Sequence, residues 1–150
     1  MKKLYLFLLL PLFIYIGCTG VCTTTCTSES FSDLISGKYN YTMTDSTDNK
    51  LIEGVLIFTG YDNEKISGTY TKDKVFNDSF PGFKSMKGSF NGNVDVNEKK
   101  AFINTNPKIA DNNILINFAI MKDSLAGRWT FSTMRGTMAT GNFYAKKIKK

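Results

Sequence analysis

The sequence predicts an all-β protein, an eight-stranded antiparallel up-and-down β-barrel, and three observations predict it. Apolar and polar residues alternate with the period of two that a strand imposes on its side chains. Tyr, Phe, Thr and Asn are plentiful while no long helical pattern is present. A Gly-x-aromatic signature recurs at Gly37-Lys38-Tyr39, Gly68-Thr69-Tyr70, Gly88-Ser89-Phe90, Gly127-Arg128-Trp129 and Gly141-Asn142-Phe143. Glycine inside a strand weakens it, so repeated use points to a geometric need. Strongly coiled strands need such kinks to close a sheet, and a neighbouring ring covers the bare glycine. Closure also removes the exposed edges that invite aggregation.

The first element is an address rather than part of the fold. Lys2 and Lys3 precede an apolar run of 13 residues, Leu4–Ile16. That is shorter than the roughly 20 residues a membrane-spanning helix needs. Gly17-Cys18 ends the run, with Tyr15 and Ile14 ahead of it. This stretch resembles the signal peptide of bacterial lipoproteins, whose lipobox ends in a small residue and the cysteine that becomes lipidated. The resemblance implies that residues 1–17 are removed and that Cys18 carries the lipid. It further implies a bacterial cell-envelope protein, held by its lipid at the periplasmic face or the cell surface. Ordinary secretion is the competing reading.

Residues 18–33 are rich in Thr and Ser and read as a tether. Of the three cysteines, assigning Cys18 to lipid leaves Cys22 and Cys26, four apart. An oxidising envelope joins such a pair into a small loop, or the two remain idle thiols. Metal binding is disfavoured because the chain has no histidine and no second cysteine pair. Phe31, Leu34 and Ile35 follow with i, i+3, i+4 spacing, so a helical turn plugging one barrel end is expected.

The barrel domain spans residues 34–150. Its eight strands are read at 37–45, 51–60, 65–72, 84–96, 100–105, 113–121, 124–133 and 135–147. Parity gives one inner face. It carries Tyr39, Tyr41 and Met43, then Ile52, Leu56 and Phe58, then Ile66 and Tyr70. Met86 and Phe90 follow, with Ile114, Ile116, Phe118 and Ile120, and Trp129, Phe131, Met138 and Phe143 complete it. Asn91-Gly92 is a hairpin signal inside the fourth strand. A bulge is expected there instead, because 93–96 alone makes a very short strand. Turns fall at Asp45–Lys50, Asp62-Asn63-Glu64, Asn97-Glu98-Lys99 and Lys122-Asp123, and connections this short favour sequential pairing. Two connections are longer. Residues 73–83 carry Phe76 and Phe80 and read as a lid loop over a barrel mouth. Residues 106–112 carry Pro107 and Ile109.

Eight such strands with a Gly-x-Trp on one of them resemble the calycin superfamily, which includes lipocalins and avidins. The likeness covers about residues 34–147 as a pattern. Lipocalins place Gly-x-Trp on the first strand, where this chain has Gly37-Lys38-Tyr39. Avidins line their pocket with several tryptophans, where this chain has one. No ligand residue is carried over.

Charge and chemistry exclude several classes. The formal net charge of +6 falls to +4 without the first 17 residues, and Lys146, Lys147, Lys149 and Lys150 hold those four charges. The remaining body is balanced and lacks the broad basic face that nucleic acid requires. Without histidine there is no imidazole catalysis, and the carboxylates are scattered, so no enzyme and no cofactor is expected. Asp45-Ser46-Thr47-Asp48-Asn49 lacks the spacing of a calcium loop. An eight-stranded barrel is just wide enough to be filled or to hold one small ligand. Tyr39, Tyr70, Phe118, Trp129 and Phe143 are the candidates for lining such a cup around a small apolar ligand. The alternative is an interaction module, or a hydrolase inhibitor, with a filled core and an envelope or host protein as partner. For it, Tyr61, Phe76, Phe80 and Tyr144 are the apolar residues to find exposed.

Overall fold

The computed structural model describes residues 31–77, 85–109 and 111–149. The signal segment, Cys18, Cys22 and Cys26 lie outside the described residues, as does Phe80 of the expected lid. A one-turn helix, α1 (Phe31–Ile35), precedes eight strands: β1 (Gly37–Thr44), β2 (Lys50–Asp62), β3 (Lys65–Val75), β4 (Lys87–Asp95), β5 (Lys100–Asn104), β6 (Asn113–Met121), β7 (Ser124–Thr133) and β8 (Gly136–Lys147). Each strand pairs antiparallel with the next and β8 returns to β1, giving a closed up-and-down barrel.

Alternating strand direction sorts the connections onto two ends. The turns after β2, β4 and β6 lie with α1 and the last residues of β8. Here Gly37 takes φ +113°, a left-handed turn that lets the chain swing sharply from α1 into β1. Ile35 is buried and α1 packs against β6. The Lys147 ammonium donates to the Asp33 carbonyl at 2.8 Å, and the Ile148 amide donates to the Lys38 carbonyl at 2.8 Å. This end is therefore covered by the chain's own helix and last strand. The connections after β1, β3, β5 and β7 form the other end, called the mouth below.

The inner face follows the parity of the sequence. Tyr39, Tyr41, Met43, Ile52, Leu56, Phe58, Ile66, Tyr70 and Phe90 are buried, as are Ile114, Ile116, Phe118, Ile120, Trp129, Phe131 and Phe143. Val94, Ala101, Ile103, Leu125 and Ala145 join them. Rings fill the middle of the lumen. Phe58 lies 5.6 Å from Tyr39, 5.1 Å from Phe90 and 6.3 Å from Phe118, and Phe118 lies 5.7 Å from Phe143. These separations are those of edge-on and offset aromatic contacts.

The glycine signature has a cross-strand explanation. Register places Gly54 opposite Tyr41, Gly68 opposite Phe90, Gly88 opposite Tyr70 and Gly141 opposite Trp129. In each pair the ring lies where the glycine's Cβ would stand: 2.9 Å away for Tyr41, 2.4 Å for Phe90, 2.8 Å for Tyr70 and 2.7 Å for the Trp129 indole nitrogen. The bare strand segment is a slot for the neighbour's ring.

Three expectations need correction. Met138 is 58 % exposed rather than inward. Phe131 pairs with Ala139 and Ser132 with Thr137, so Met138 is the extra residue of a bulge, and its side chain points out. Met86 is 50 % exposed although its parity matches Phe90, because β4 begins only at Lys87 and Met86 lies beyond the wall. Asn91-Gly92 forms neither a bulge nor a hairpin. Asn91 pairs with Ser67 and Gly92 with Ile66 in unbroken register, and a Cβ on Gly92 would meet the Phe102 carbonyl at 1.9 Å. Close approach of β5, not a turn, accounts for that glycine.

Candidate functional site

The mouth is where the barrel wall is incomplete. β5 has five residues, and β4 pairs with it only from Asn91 to Asp95. Lys87–Phe90 therefore has β3 on one side and, among the described residues, no strand on the other. The connection after β5 swings away from this edge, turning at Pro107, whose ring cannot continue a sheet ladder. Between the two lies a cleft of about 390 Å³, lined by the apolar Tyr70, Pro107, Ile109 and Ile114 and by the polar Ser85, Lys87, Ser89, Thr105, Asn106, Lys108 and Asn112. Tyr70 and Ile114 are inward residues, so the cleft reaches the inner face from the side. Next to it the Asn113 amide nitrogen donates to the Ile109 carbonyl at 3.0 Å, while its Oδ1 is buried without a protein partner.

Lys72 is the buried charged side chain of the described residues, 6 % exposed. Its position follows from parity: Ile66, Gly68 and Tyr70 face inward along β3, and Lys72 is next. Register then skips at Asp73, because Glu53 pairs with Lys74 and Gly54 with Lys72, and Asp73 is left on the outside. There the Thr71 hydroxyl donates to the Asp73 carboxylate at 3.1 Å. The Lys72 ammonium sits 5.8 Å from the centre of the Tyr70 ring. Burial penalises the charged amine and lowers its pKa to about 8. Tyr41 is raised well above the usual phenol range, chiefly by burial and further by Tyr70 and Asp73. The chemistry gathered at the inner side of the mouth is thus the Lys72 ammonium and the Tyr41 phenol held neutral, with Lys87 and Lys108 on the rim of the cleft.

The five residues expected to line a cup divide. Tyr70 borders the cleft. Tyr39, Phe118 and Phe143 lie in the ring-packed lumen, with Tyr39 toward the covered end, where burial and Asp123 push its phenol up to about 12. Trp129 is buried with its indole N–H donating to the Thr44 carbonyl at 2.7 Å, which ties β7 to the end of β1 across Gly141 of β8. Phe76 is exposed, with the Lys74 ammonium 4.6 Å over its ring, and the strand runs on through residues 73–75 that were read as loop. Ile109, Met86 and Met134 are also exposed at this end, and Tyr61 and Tyr144 are exposed elsewhere. Lys72 was not singled out from the sequence, although the alternation that places Tyr70 inside also places Lys72 inside.

Two shallower hollows lie on the outside of the barrel. One of about 700 Å³ spans the outer face of β4–β7, where Ala119 and Ala126 pair and leave a dent rimmed by Asn93, Phe102, Asn117 and Arg128. The other, about 500 Å³, adjoins it near Tyr61 and Asn104. No group of His, Cys, Asp or Glu among the described residues is arranged to hold a metal ion. In the β1–β2 loop the Asp45 carboxylate already accepts from the Thr47 and Asn49 amides at 2.8 and 2.9 Å, and from both their side chains, which lowers its pKa to about 2.

No protein-family model matches the chain, and no curated protein matches it. Among solved structures, a redesigned β-barrel is similar over 79 % of this chain and 95 % of that one, with a TM-score of 0.50 at 10 % identity. EF1p2_mFAP2b bound to DFHBI is similar over 78 % of this chain and 96 % of that one, with a TM-score of 0.53 at 10 % identity. Identity this low establishes a shared barrel form.

Proposed function

We propose that this chain is a bacterial envelope lipoprotein, acylated at Cys18, whose barrel binds one small, largely apolar ligand at the mouth without catalysing a reaction. The observation that carries the ligand reading is the cleft beside Lys87–Phe90, which opens onto the inner residues Tyr70 and Ile114 where β5 stops short. At about 390 Å³ it is at the small end of ligand sites, with an apolar side made by Tyr70, Pro107, Ile109 and Ile114 and a polar rim that includes Lys87 and Lys108. A neighbour of the same barrel form is bound to DFHBI, a precedent for a small molecule in such a frame. The site differs from the cup read in the sequence. The packed rings of Tyr39, Phe118 and Phe143 leave it the side of the mouth rather than the lumen.

The test is a titration of the mature chain with a panel of apolar and amphipathic small molecules, followed by methyl NMR. Binding that shifts Ile114 and Ile109 while leaving Ile120, at the covered end, unmoved supports the reading. A panel that shifts none of the three removes it. The second reading, an interaction module, is favoured by the filled lumen together with exposed Phe76, Met86, Ile109 and Met134 at one end. It gains if envelope extract yields a partner whose capture is lost in Phe76→Ala/Met86→Ala while the panel shows no ligand.

A further inference from the structure

Asparagine is depleted inside strands, because its side chain competes with the ladder and packs poorly on a pleated face. Yet the outer face of β4–β6 carries Asn91, Asn93, Asn104 and Asn117. Asn104 serves the fold, since its side chain accepts from the Asn106 amide at 2.9 Å. Asn91, Asn93 and Asn117 are exposed, and no side-chain hydrogen bond within the described chain engages them. Register sets two of these amides around a ring and ends the row on a cation: Asn93 stands opposite Phe102, Phe102 opposite Asn117, and Asn117 opposite Arg128. The two outer hollows meet on this row, because Asn93 and Phe102 line both. Together they form a groove across the wall, from the half-exposed Tyr61 to Arg128. Its charges are Asp62, Lys65, Asp95, Lys100 and Arg128. Asp62 faces Lys65 and Asp95 faces Lys100 in register, and Glu98 also holds Lys100 at 2.8 Å. Arg128 alone faces no carboxylate. Its register partners are Asn117 and Asn142, and the Asn142 amide is engaged by Asp48.

We propose that this groove is a glycan site, separate from the cleft at the mouth, and that its ligand is an oligosaccharide of uronic acids. Phe102 takes the C–H face of one sugar, whose positive hydrogens meet the negative face of the ring. Asn93 and Asn117, on either side of it, each present a carbonyl and two N–H groups, a match for adjacent hydroxyls that both donate and accept. The forked Arg128 guanidinium takes a sugar carboxylate. Neighbouring strands stand about 4.8 Å apart, close to the length of one sugar unit, so a chain laid across the wall meets a new strand with each sugar. Three amides that weaken their strands and bond to nothing within the fold thereby acquire a use.

The experiment titrates the mature chain with hexamers of galacturonic acid and of alginate, with the same hexamers methyl-esterified, and with hexaglutamate. Binding is read by calorimetry and by side-chain amide and methyl NMR signals. At least one acid hexamer is expected to bind and to move the amide signals of Asn93 and Asn117, while the Ile109 methyl at the mouth stays in place. Charge-assisted hydrogen bonds predict that the acid binds at least about ten-fold tighter than its ester. Arg128→Gln brings the acid down to the affinity of the ester. Asn93→Thr/Asn117→Thr loses binding yet raises the denaturant midpoint, since threonine suits a strand better than asparagine. Binding of neither acid hexamer overturns the proposal. So does hexaglutamate binding as tightly as the sugar acid, which would mean that charge is read without the sugar. An ester as tight as its acid, or a preference that survives in Arg128→Gln, overturns the uronic-acid class. Shifts at Ile109 without shifts at the two amides place the sugar at the mouth and remove the groove. The acid and ester comparison on the unmodified chain is decisive even if a variant fails to fold.

Discussion

A buried lysine makes folding stability depend on pH in a direction that can be worked out. The Lys72 amine has a pKa of about 8 in the fold and 10.5 as a free side chain. Between those values the unfolded chain binds more protons than the folded one, so stability rises with pH across that window; below pH 8 the penalty is present in full. Tyr39 acts oppositely. Its phenol is raised from 10.0 to about 12, so above pH 10 the unfolded chain loses protons first and stability falls. Tyr41 is raised as well and adds to the fall. Urea unfolding at pH 7, 9 and 11 is therefore expected to show a midpoint that climbs and then drops. Lys72→Met should abolish the climb and keep the drop; an equal climb in the variant would place its origin elsewhere. Lys72 was legible in principle, since residues 66, 68 and 70 fix its side of the sheet. It was passed over because lysine at a strand end normally reads as solvated surface.

The strands show what carries through from sequence and what does not. Their number, order and inner parity were readable because one face of every strand is buried, which leaves a period-two trace in the residue types. Ends and bulges were less readable. Whether Met86 lies within the wall or beyond it depends on where β4 starts, and the orientation of Met138 depends on a bulge opposite Phe131. Both are set by pairing partners far away in the chain. The closeness of β5 to Gly92 is likewise visible only after the strands are placed. The glycine–aromatic pairing between strands gives a sharp test. A Cβ on Gly141 would stand 1.9 Å from the Thr44 carbonyl and 2.7 Å from the Trp129 indole nitrogen. The first contact is with backbone and cannot swing aside. Gly141→Ala should cost about 3 kcal/mol or more, read as a lower denaturant midpoint, because it forces β8 away from β1 and displaces the indole from its acceptor. A change under about 0.5 kcal/mol, ordinary for a surface position, would mean that the slot is not tight.

Seen as a whole, the molecule has a covered end and a mouth, and the candidate site was only partly readable because it lies where regular pairing stops. Tyr70 was within reach of alternation. The cleft beside it was not, since it is made by the shortness of β5 and the path of the segment around Pro107. The closing of β8 onto β1 has one more consequence. The described chain starts and stops on the same side of the molecule, with Lys147 bound to Asp33. In connectivity the domain is a ring of eight strand pairings, seven of them hairpins, with a single cut between β8 and β1. The cut should be movable: a circular permutant opened between Met134 and Arg135, with a short Gly/Ser linker joining residue 149 to residue 31, is expected to fold to the same barrel. Cooperative unfolding and unchanged emission from the lone tryptophan would show it. A permutant that unfolds without cooperativity would mean that chain order, and not the closed arrangement alone, is needed to build the wall.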